Sequence, residues 1–269
     1  MAVIRSIFAA SVFVSGTTVV ASAIIAGKVL GLPRGFIDYF TRGFGYTILG
    51  ATLARVEYVV FKSDPGAWPE RVVLVSNHES HLDGPGVQTT LKKRSIRYVA
   101  KQSLFKIPLL GWGLRAAGNV PVSRSGAKED RERLSEKSAR EKDGDVLFFA
   151  EGTRSRAGSF QAFKKGAFFF AIEHQRPIVP IAVCGGYEVM PAESLSPKGG
   201  NLAVIVGEPI DVTGYTLEEV DSLRDRVHAR VKDLREEALG LVSSPRLSDM
   251  KHAGPVTPVE GTPSASFSV

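Results

Sequence analysis

Among its 269 residues the chain holds one cysteine, Cys184. That excludes an internal disulfide framework and every zinc site built on cysteine pairs, and it fits a reducing compartment. Acid is also in short supply: 28 Asp and Glu face 34 Lys and Arg, leaving a formal charge of +6 and a sequence pI near 9.4. Such a balance suits nucleic acid, an anionic membrane surface or an acidic substrate. The chain has no Gly-x4-Gly-Lys-Ser/Thr loop and therefore no Walker-type nucleotide site. His78 and His81 are three apart where the zincin motif needs four. No metal is expected. No internal repeat is visible, and no nucleic-acid-binding motif accompanies the basic residues, so no nucleic-acid partner is expected either. Apolar residues are sufficient for a core. The hydrophobic fraction is 43%; counting Gly and leaving out Tyr brings it to about 51%, just above the ordinary range of about 45–50%. This is neither a disordered chain nor a polytopic membrane protein, and its length suits one to two domains.

The apolar residues are unevenly spread. From Ser6 to Gly27 there are 22 residues without a charge, flanked by Arg5 and Lys28. At about 1.5 Å per residue this length just reaches across a hydrocarbon core of about 30 Å. A secretory signal would have a stronger basic start and a small-residue cleavage site before polar sequence; here Leu30, Leu32, Phe36, Ile37 and Phe40 follow. After the Leu32-Pro33-Arg34-Gly35 break, a second segment, Phe36 to Val56, spaces Asp38, Arg42 and Arg55 so that it reads as an amphipathic helix. The pair is open to three readings: a monotopic helical pair lying in one leaflet, a single transmembrane anchor, or ordinary buried helices.

From about Arg71 the pattern alternates between strands and helices. Short apolar runs occur at Val72–Val75, Val146–Phe149, Ile178–Val183 and Leu202–Val206, and helical candidates at Ala127–Lys142, Lys165–His174 and Leu217–Leu239. This predicts an α/β fold. After Gly240 the composition turns to Ser, Pro, Thr and Gly. The expected division is therefore a membrane-associating helical segment over 1–60, a catalytic domain over 61–240, and a disordered tail over 241–269.

Directly after the Val72–Val75 run comes Ser76-Asn77-His78-Glu79-Ser80-His81-Leu82-Asp83. A histidine released at a strand's end faces the cleft where open α/β sheets bind ligands. Asp83, five positions on, can accept from one ring nitrogen and leave the other free as a base. Five residues on a regular helix turn through about 500°, so the pairing requires His78 to sit on a loop or first turn. A second cluster, Phe149-Ala150-Glu151-Gly152-Thr153-Arg154-Ser155-Arg156, follows the next strand; its small residues allow close backbone approach, and Arg154 can grip a phosphate through two donors. Lys164 and Lys165 add cations near a helix start. Between the clusters, Lys92, Lys93, Arg94, Arg97, Lys101 and Lys106 put six positive charges and no acid into 15 residues. They lie beside apolar Phe105, Ile107, Leu109, Leu110 and Trp112, a combination suited either to an anionic lipid or to a solvated face over ordinary core.

In order along the chain, Asn-His-x4-Asp (Asn77 to Asp83), Gly-x-Val-x-Val-x-Arg (Gly118 to Arg124), Phe-x-Glu-Gly-Thr-Arg-Ser (Phe149 to Ser155) and Val-Pro-Ile-Ala-Val (Val179 to Val183) closely resemble the four blocks of the glycerolipid acyltransferases, in particular the bacterial 1-acylglycerol-3-phosphate acyltransferase type. The resemblance implies a mixed sheet flanked by helices. It implies transfer of an acyl group from acyl-CoA or acyl carrier protein to the free hydroxyl of a lysophospholipid, giving phosphatidic acid when the acceptor is 1-acylglycerol-3-phosphate. His78 would be the general base and Asp83 would hold its ring, with no acyl-enzyme and no cofactor beyond the donor substrate. Glu151, Gly152, Thr153 and Arg154 would bind the glycerol phosphate, with Lys101 and Arg124 as further phosphate partners. The expected location is the cytoplasmic face of the cell membrane.

Three departures from the family pattern are Ala150 in place of Pro, Gly84-Pro85-Gly86 in place of apolar helix formers, and Ser123 in place of Asp. They leave the reaction type intact and the acceptor open: another lysophospholipid or a lyso-aminolipid remains an alternative. His81 is a rival base, but Gly86 stands five positions on. A non-catalytic adaptor that binds anionic lipid is the competing class, and it predicts that His78→Ala behaves like the parent.

Overall fold

The computed structural model describes residues 2–123, 128–140, 144–155, 159–191, 194 and 196–243. The tail expected from 241 is described only to Ser243, where it continues the last helix; the rest, and Arg124, lie outside the described residues.

The first helix, α1, runs Ala2–Val29 and is apolar and long enough over Val3–Val29 to cross a membrane. It ends where the Leu32 amide donates to Gly27 O at 2.8 Å and the Gly31 amide to Lys28 O at 3.2 Å, the paired bonds of a Schellman close. Pro33 then starts α2, Arg34–Ala51. The polar face of α2 is not solvated. Arg34 donates to Ala117 O at 2.6 Å and to Ser95 Oγ at 3.0 Å, and Asp38 accepts from Ser95 at 3.0 Å, so this face is fastened to the α/β domain.

The amphipathic helix expected to reach Val56 stops at Ala51, and Ala54–Phe61 is a strand, β1. Its alternating exposure is that of an edge strand: one side faces the core and the other stays open. The remaining elements are β2 (Val73–Ser76), α3 (Asp83–Thr90), β3 (Ile96–Lys101), a 3-10 turn over Gln102–Lys106, α4 (Leu110–Ala116), β4 (Val120–Val122), α5 (Lys128–Arg140), β5 (Asp145–Phe149), α6 (Gly166–Glu173), β6 (Ile178–Cys184), α7 (Gly186–Val189), β7 (Gly200–Val206), a second 3-10 turn over Leu217–Glu219, and α8 (Val220–Ser243).

The seven strands form one sheet in the order β1-β7-β6-β2-β5-β3-β4. All neighbours are parallel except β6 and β7, so β1 and β7 run against the other five and the sheet is mixed. Both faces are covered. Val73 and Val75 of β2 point to one core with Phe148, Phe168, Val227 and Val231; Val72 and Leu74 point to the other with Leu82, Val87, Val179 and Leu49. Burial on both faces is why the β2, β5 and β6 runs are continuously apolar.

β3 is hidden in sequence by its charged residues. The basic stretch that contains β3 is not one patch. Arg94 lies before the strand and grips Asp145 with both ends of its guanidinium at 2.8 and 2.7 Å, and Arg97 within the strand is 6% exposed. Lys92 and Lys93 lie in the turn before the strand and Lys101 at its far end, with the strand itself spanning about 17 Å at the rise of an extended chain.

Candidate active site

The carboxyl ends of β2, β5, β3 and β4 open on the same edge of the sheet, where ligands gather in open α/β folds. The chain leaves β2 at Ser76. Asn77 turns its amide onto β6, donating to Val183 O at 2.7 Å and accepting from the Val183 amide at 2.8 Å. A side chain thus substitutes for a strand residue. His78 follows on the loop, as its pairing requires, and its Nδ1 lies 2.7 Å from Asp83 Oδ2, the acid being the first residue of α3.

Asp83 is fully buried. The same oxygen accepts from the Glu79 and Ser80 amides at 2.7 and 2.9 Å, while Oδ1 has no hydrogen-bond partner among the described residues. With Nδ1–H donated to the carboxylate, the tautomer leaves Nε2 as the acceptor. The ring stacks on Phe149, centroids 4.1 Å apart and 19° from coplanar. Phe149 is a site residue that sequence reasoning missed; its signal is the pairing of Phe149 with Ser76 across the parallel β2–β5 ladder.

The second cluster holds the histidine's main chain. Glu151 Oε1 accepts from the His78 amide at 2.9 Å, and its other oxygen accepts from Ser155 Oγ and from the Gln161 amide. The Ser155 amide in turn donates to His78 O at 2.7 Å. Burial raises the Glu151 pKa, and these hydrogen bonds oppose the rise. The carboxylate expected to bind the glycerol phosphate is therefore engaged by the protein on both oxygens. Gly152 has φ +71°, and a Cβ there would come within 2.7 Å of Lys164 Cε, so the lysine's aliphatic stem lies directly over it. Thr153 is exposed. Arg154 Nη1 meets His81 Nε2; desolvation and then the Arg154 charge lower the His81 pKa to about 4, which keeps its ring a neutral acceptor. Thus the rival base His81 is engaged by Arg154.

Beneath these groups lies a cavity of about 850 Å³, a volume in the range of a small-molecule site. Its walls are Val99, Leu104, Val122, Leu134, Phe148, Phe149 and Phe169, with His78, Gly152, Lys164 and Lys165 among the residues at its polar side. Lys165 pairs with Asp221 at 2.7 Å, whereas Lys164 has no ion-pair partner among the described residues. Lys101 is exposed at the end of β3, and its neighbour Ala100, not Lys101 itself, lines the cavity. Ser123 donates its amide to Asp130 of α5 at 2.8 Å. Among the described residues no three His, Cys, Asp or Glu side chains gather as a metal site. Cys184 is wholly buried, and burial pushes its thiol pKa up.

Residues 60–184 match the family model described as Acyltransferase. The chain is 37% identical over 141 residues to a chloroplast 1-acyl-sn-glycerol-3-phosphate acyltransferase of Arabidopsis thaliana, a match covering 51% of this chain and 39% of that one. It is 30% identical over 207 residues to an uncharacterized acyltransferase of Schizosaccharomyces pombe, covering 75% of this chain and 72% of that one. The matched region spans about two fifths of the length of the chloroplast relative. The crystal structure of the 1-acyl-sn-glycerophosphate (LPA) acyltransferase PlsC from Thermotoga maritima superposes with a TM-score of 0.70 at 23% identity, covering 88% of this chain and 96% of that one, and so shares the fold. With the blocks of the sequence brought to one edge of such a sheet, and a family model and a relative matching in the same region, the chain belongs to the acyltransferase family.

Proposed function

We propose that this chain transfers a fatty acyl group from acyl-CoA or acyl carrier protein to the free hydroxyl of 1-acylglycerol-3-phosphate, giving phosphatidic acid in phospholipid biosynthesis. The observation that carries the reading is the His78–Asp83 contact of 2.7 Å at the mouth of a cavity with largely apolar walls. His78 Nε2 takes the hydroxyl proton as the oxygen attacks the thioester carbonyl. The carbon–sulfur bond breaks as the ester forms, and the proton passes from the imidazolium to the departing thiolate. Asp83 fixes the tautomer and steadies the imidazolium. General-base catalysis of this kind contributes typically about 10²–10⁴-fold, and positioning adds to it. The headgroup phosphate is met by Arg154 and Lys164, with Gly152 and Thr153 framing the turn and Lys101 and Arg124 as further cations. Glu151 contributes by holding the His78 amide.

The membrane segment belongs to the same reading. Helix α1 lies against α2 and α4, with Gly113 of α4 closing on Ala21 so that a Cβ would come within 2.7 Å. A helix held along the flank of a folded domain cannot cross a bilayer alone, which favours a monotopic pair in one leaflet. Val3, Ile4, Ile7, Phe8, Val14 and Val19 are exposed on α1; Leu104, which lines the cavity, and Ile107 and Trp112, which follow it in the chain, are exposed as well. Donors carried by coenzyme A or carrier protein are soluble, which puts the domain on the cytoplasmic face. The division is then a membrane part over 2–51 and a catalytic part over 54–243.

The test incubates purified full-length protein with a panel of lysophospholipid and lyso-aminolipid acceptors and both thioester donors, with products read by mass spectrometry. Transfer to 1-acylglycerol-3-phosphate, lost in His78→Ala, is expected. Transfer to none of the acceptors refutes the reading, full activity of His78→Ala refutes the mechanism, and preference for another acceptor moves the substrate.

A further inference from the structure

The loop from Asn77 to Leu82 is tied to β6 and the segment after it at three places. Asn77 bonds Val183; Ser80 Oγ donates to Met190 O at 2.8 Å; and Glu79 Oε1 accepts from the Gly186 amide at 2.9 Å and the Tyr187 amide at 3.4 Å. Two of these ties use neutral side chains. The third uses a carboxyl that is only 6% exposed, does not line the cavity, and has no part in the proton transfer.

What Glu79 holds in place is the close approach of Gly186. A Cβ on Gly186 would lie 2.7 Å from Ser80 Cβ and 2.9 Å from Asp83 Oδ1, so the backbone there abuts the carboxylate that carries His78. The contacts form a chain: Glu79 to the Gly186 amide, Gly186 against Asp83, and Asp83 to His78 Nδ1. We propose that Glu79 is a positioning residue for the transfer: by accepting the Gly186 amide it closes the turn at α7 onto Asp83 and holds the His78 ring where the proton must be taken. This rests on the acyl-transfer reading above.

The charge state of Glu79 makes the proposal separable from simple packing. Burial first, then the charges of Asp83 on α3 and Glu188 on α7, push its carboxyl up to about 8, against smaller opposing effects from the Tyr187 amide and Arg235 on α8. Cys184, at the end of β6, also senses it, and His78 is its chain neighbour. Glu79 is thus a neutral acid at pH 7, which glutamine reproduces, and an anion at pH 9, which glutamine does not. Ionised, it sets a second negative charge beside Asp83 and strains the closure.

The experiment measures steady-state kinetics of the full-length wild type, E79Q and E79A with 1-acylglycerol-3-phosphate and acyl-CoA at pH 7 and pH 9. At pH 7, E79A is expected to lose about 10- to 100-fold in kcat with acceptor KM within about twofold, since misplacement of about 1 Å has effects of that order. E79Q should stay within about threefold of wild type at pH 7 and exceed it at pH 9, as the ionisation is removed. E79A with wild-type kcat, E79Q as impaired as E79A at pH 7, or a wild-type-to-E79Q ratio that is the same at both pH values overturns the proposal. Should E79A fail to fold, that ratio alone decides. A wild type inactive on every acceptor overturns the acyl-transfer reading and this one with it; an active wild type with E79A unchanged overturns this one alone.

Discussion

Asp83→Asn and Asp83→Ala separate what the buried carboxylate does for chemistry from what it does for the fold. Asp83 Oδ2 accepts from His78 Nδ1, the Glu79 amide and the Ser80 amide at 2.7, 2.7 and 2.9 Å. Alanine leaves two buried amides without an acceptor, at about 1–3 kcal/mol each, so a loss of about 2–6 kcal/mol is expected. That is a large share of a stability on the order of 5–15 kcal/mol. Asparagine keeps an oxygen for the two amides, and its melting temperature should stay near that of the parent. It nevertheless removes the charge that holds the Nδ1 proton and stabilises the imidazolium. The expected loss in kcat is about 10²–10⁴-fold, or about 2.7–5.4 kcal/mol of barrier, with acceptor KM little changed. Initial rates by mass spectrometry, with thermal melts on the same preparations, distinguish the two losses. An Asp83→Asn enzyme as fast as wild type would refute the reasoning, because the ring would then need no carboxylate.

Asn77→Ala strands the Val183 amide and carbonyl that its side chain satisfies at 2.8 and 2.7 Å; a melt lowered by on the order of 10 °C is expected, corresponding to about 3 kcal/mol, and an unchanged melt would show that the two groups find other partners. Gly152→Ala combines a φ of +71° with a Cβ 2.7 Å from Lys164 Cε. Acceptor KM should rise several-fold, roughly a kcal/mol of binding, and an unaltered KM would remove Lys164 from the phosphate site. Of the two tryptophans, Trp112 is 60% exposed and Trp68 7%. In Trp68→Phe protein reconstituted into anionic vesicles, Trp112 emission should shift to the blue and be quenched by shallowly labelled lipid; emission unchanged from detergent-free buffer would place α4 away from the bilayer.

The sheet's central strands are legible in sequence because burial on both faces demands unbroken apolar runs. β3 is not, since Arg97 and Lys101 give it the look of a basic surface, and the buried position of Arg97 depends on elements far along the chain. β1 was concealed for a different reason: Val56 and its neighbours extend a helical apolar pattern, and only pairing with β7 through Ala54–Gly200 and Phe61–Val206 selects the strand. At the site, the His78-x4-Asp83 spacing already required a loop histidine, and the loop supplies it. Glu151 read as a ligand group because a carboxylate in a turn has no visible partner in sequence; its partners, the His78 amide 73 positions away and Ser155, come from two segments brought together by the β2–β5 pairing.

The features legible in the chain alone are local: the break at Leu32–Gly35, the apolar runs of the core strands, and the histidine and acid placed five apart where a strand ends. Each depends on neighbouring residues or a short period, so each is settled before the chain collapses. Which groups meet across the sheet edge depends on long-range packing. Glu79 and the Gly186 amide are 107 positions apart, and no local pattern marks a carboxyl for burial there. Its environment, and with it the loss of its charge at neutral pH, exists only once β6 lies beside β2 and water has been excluded from between the loop and the turn.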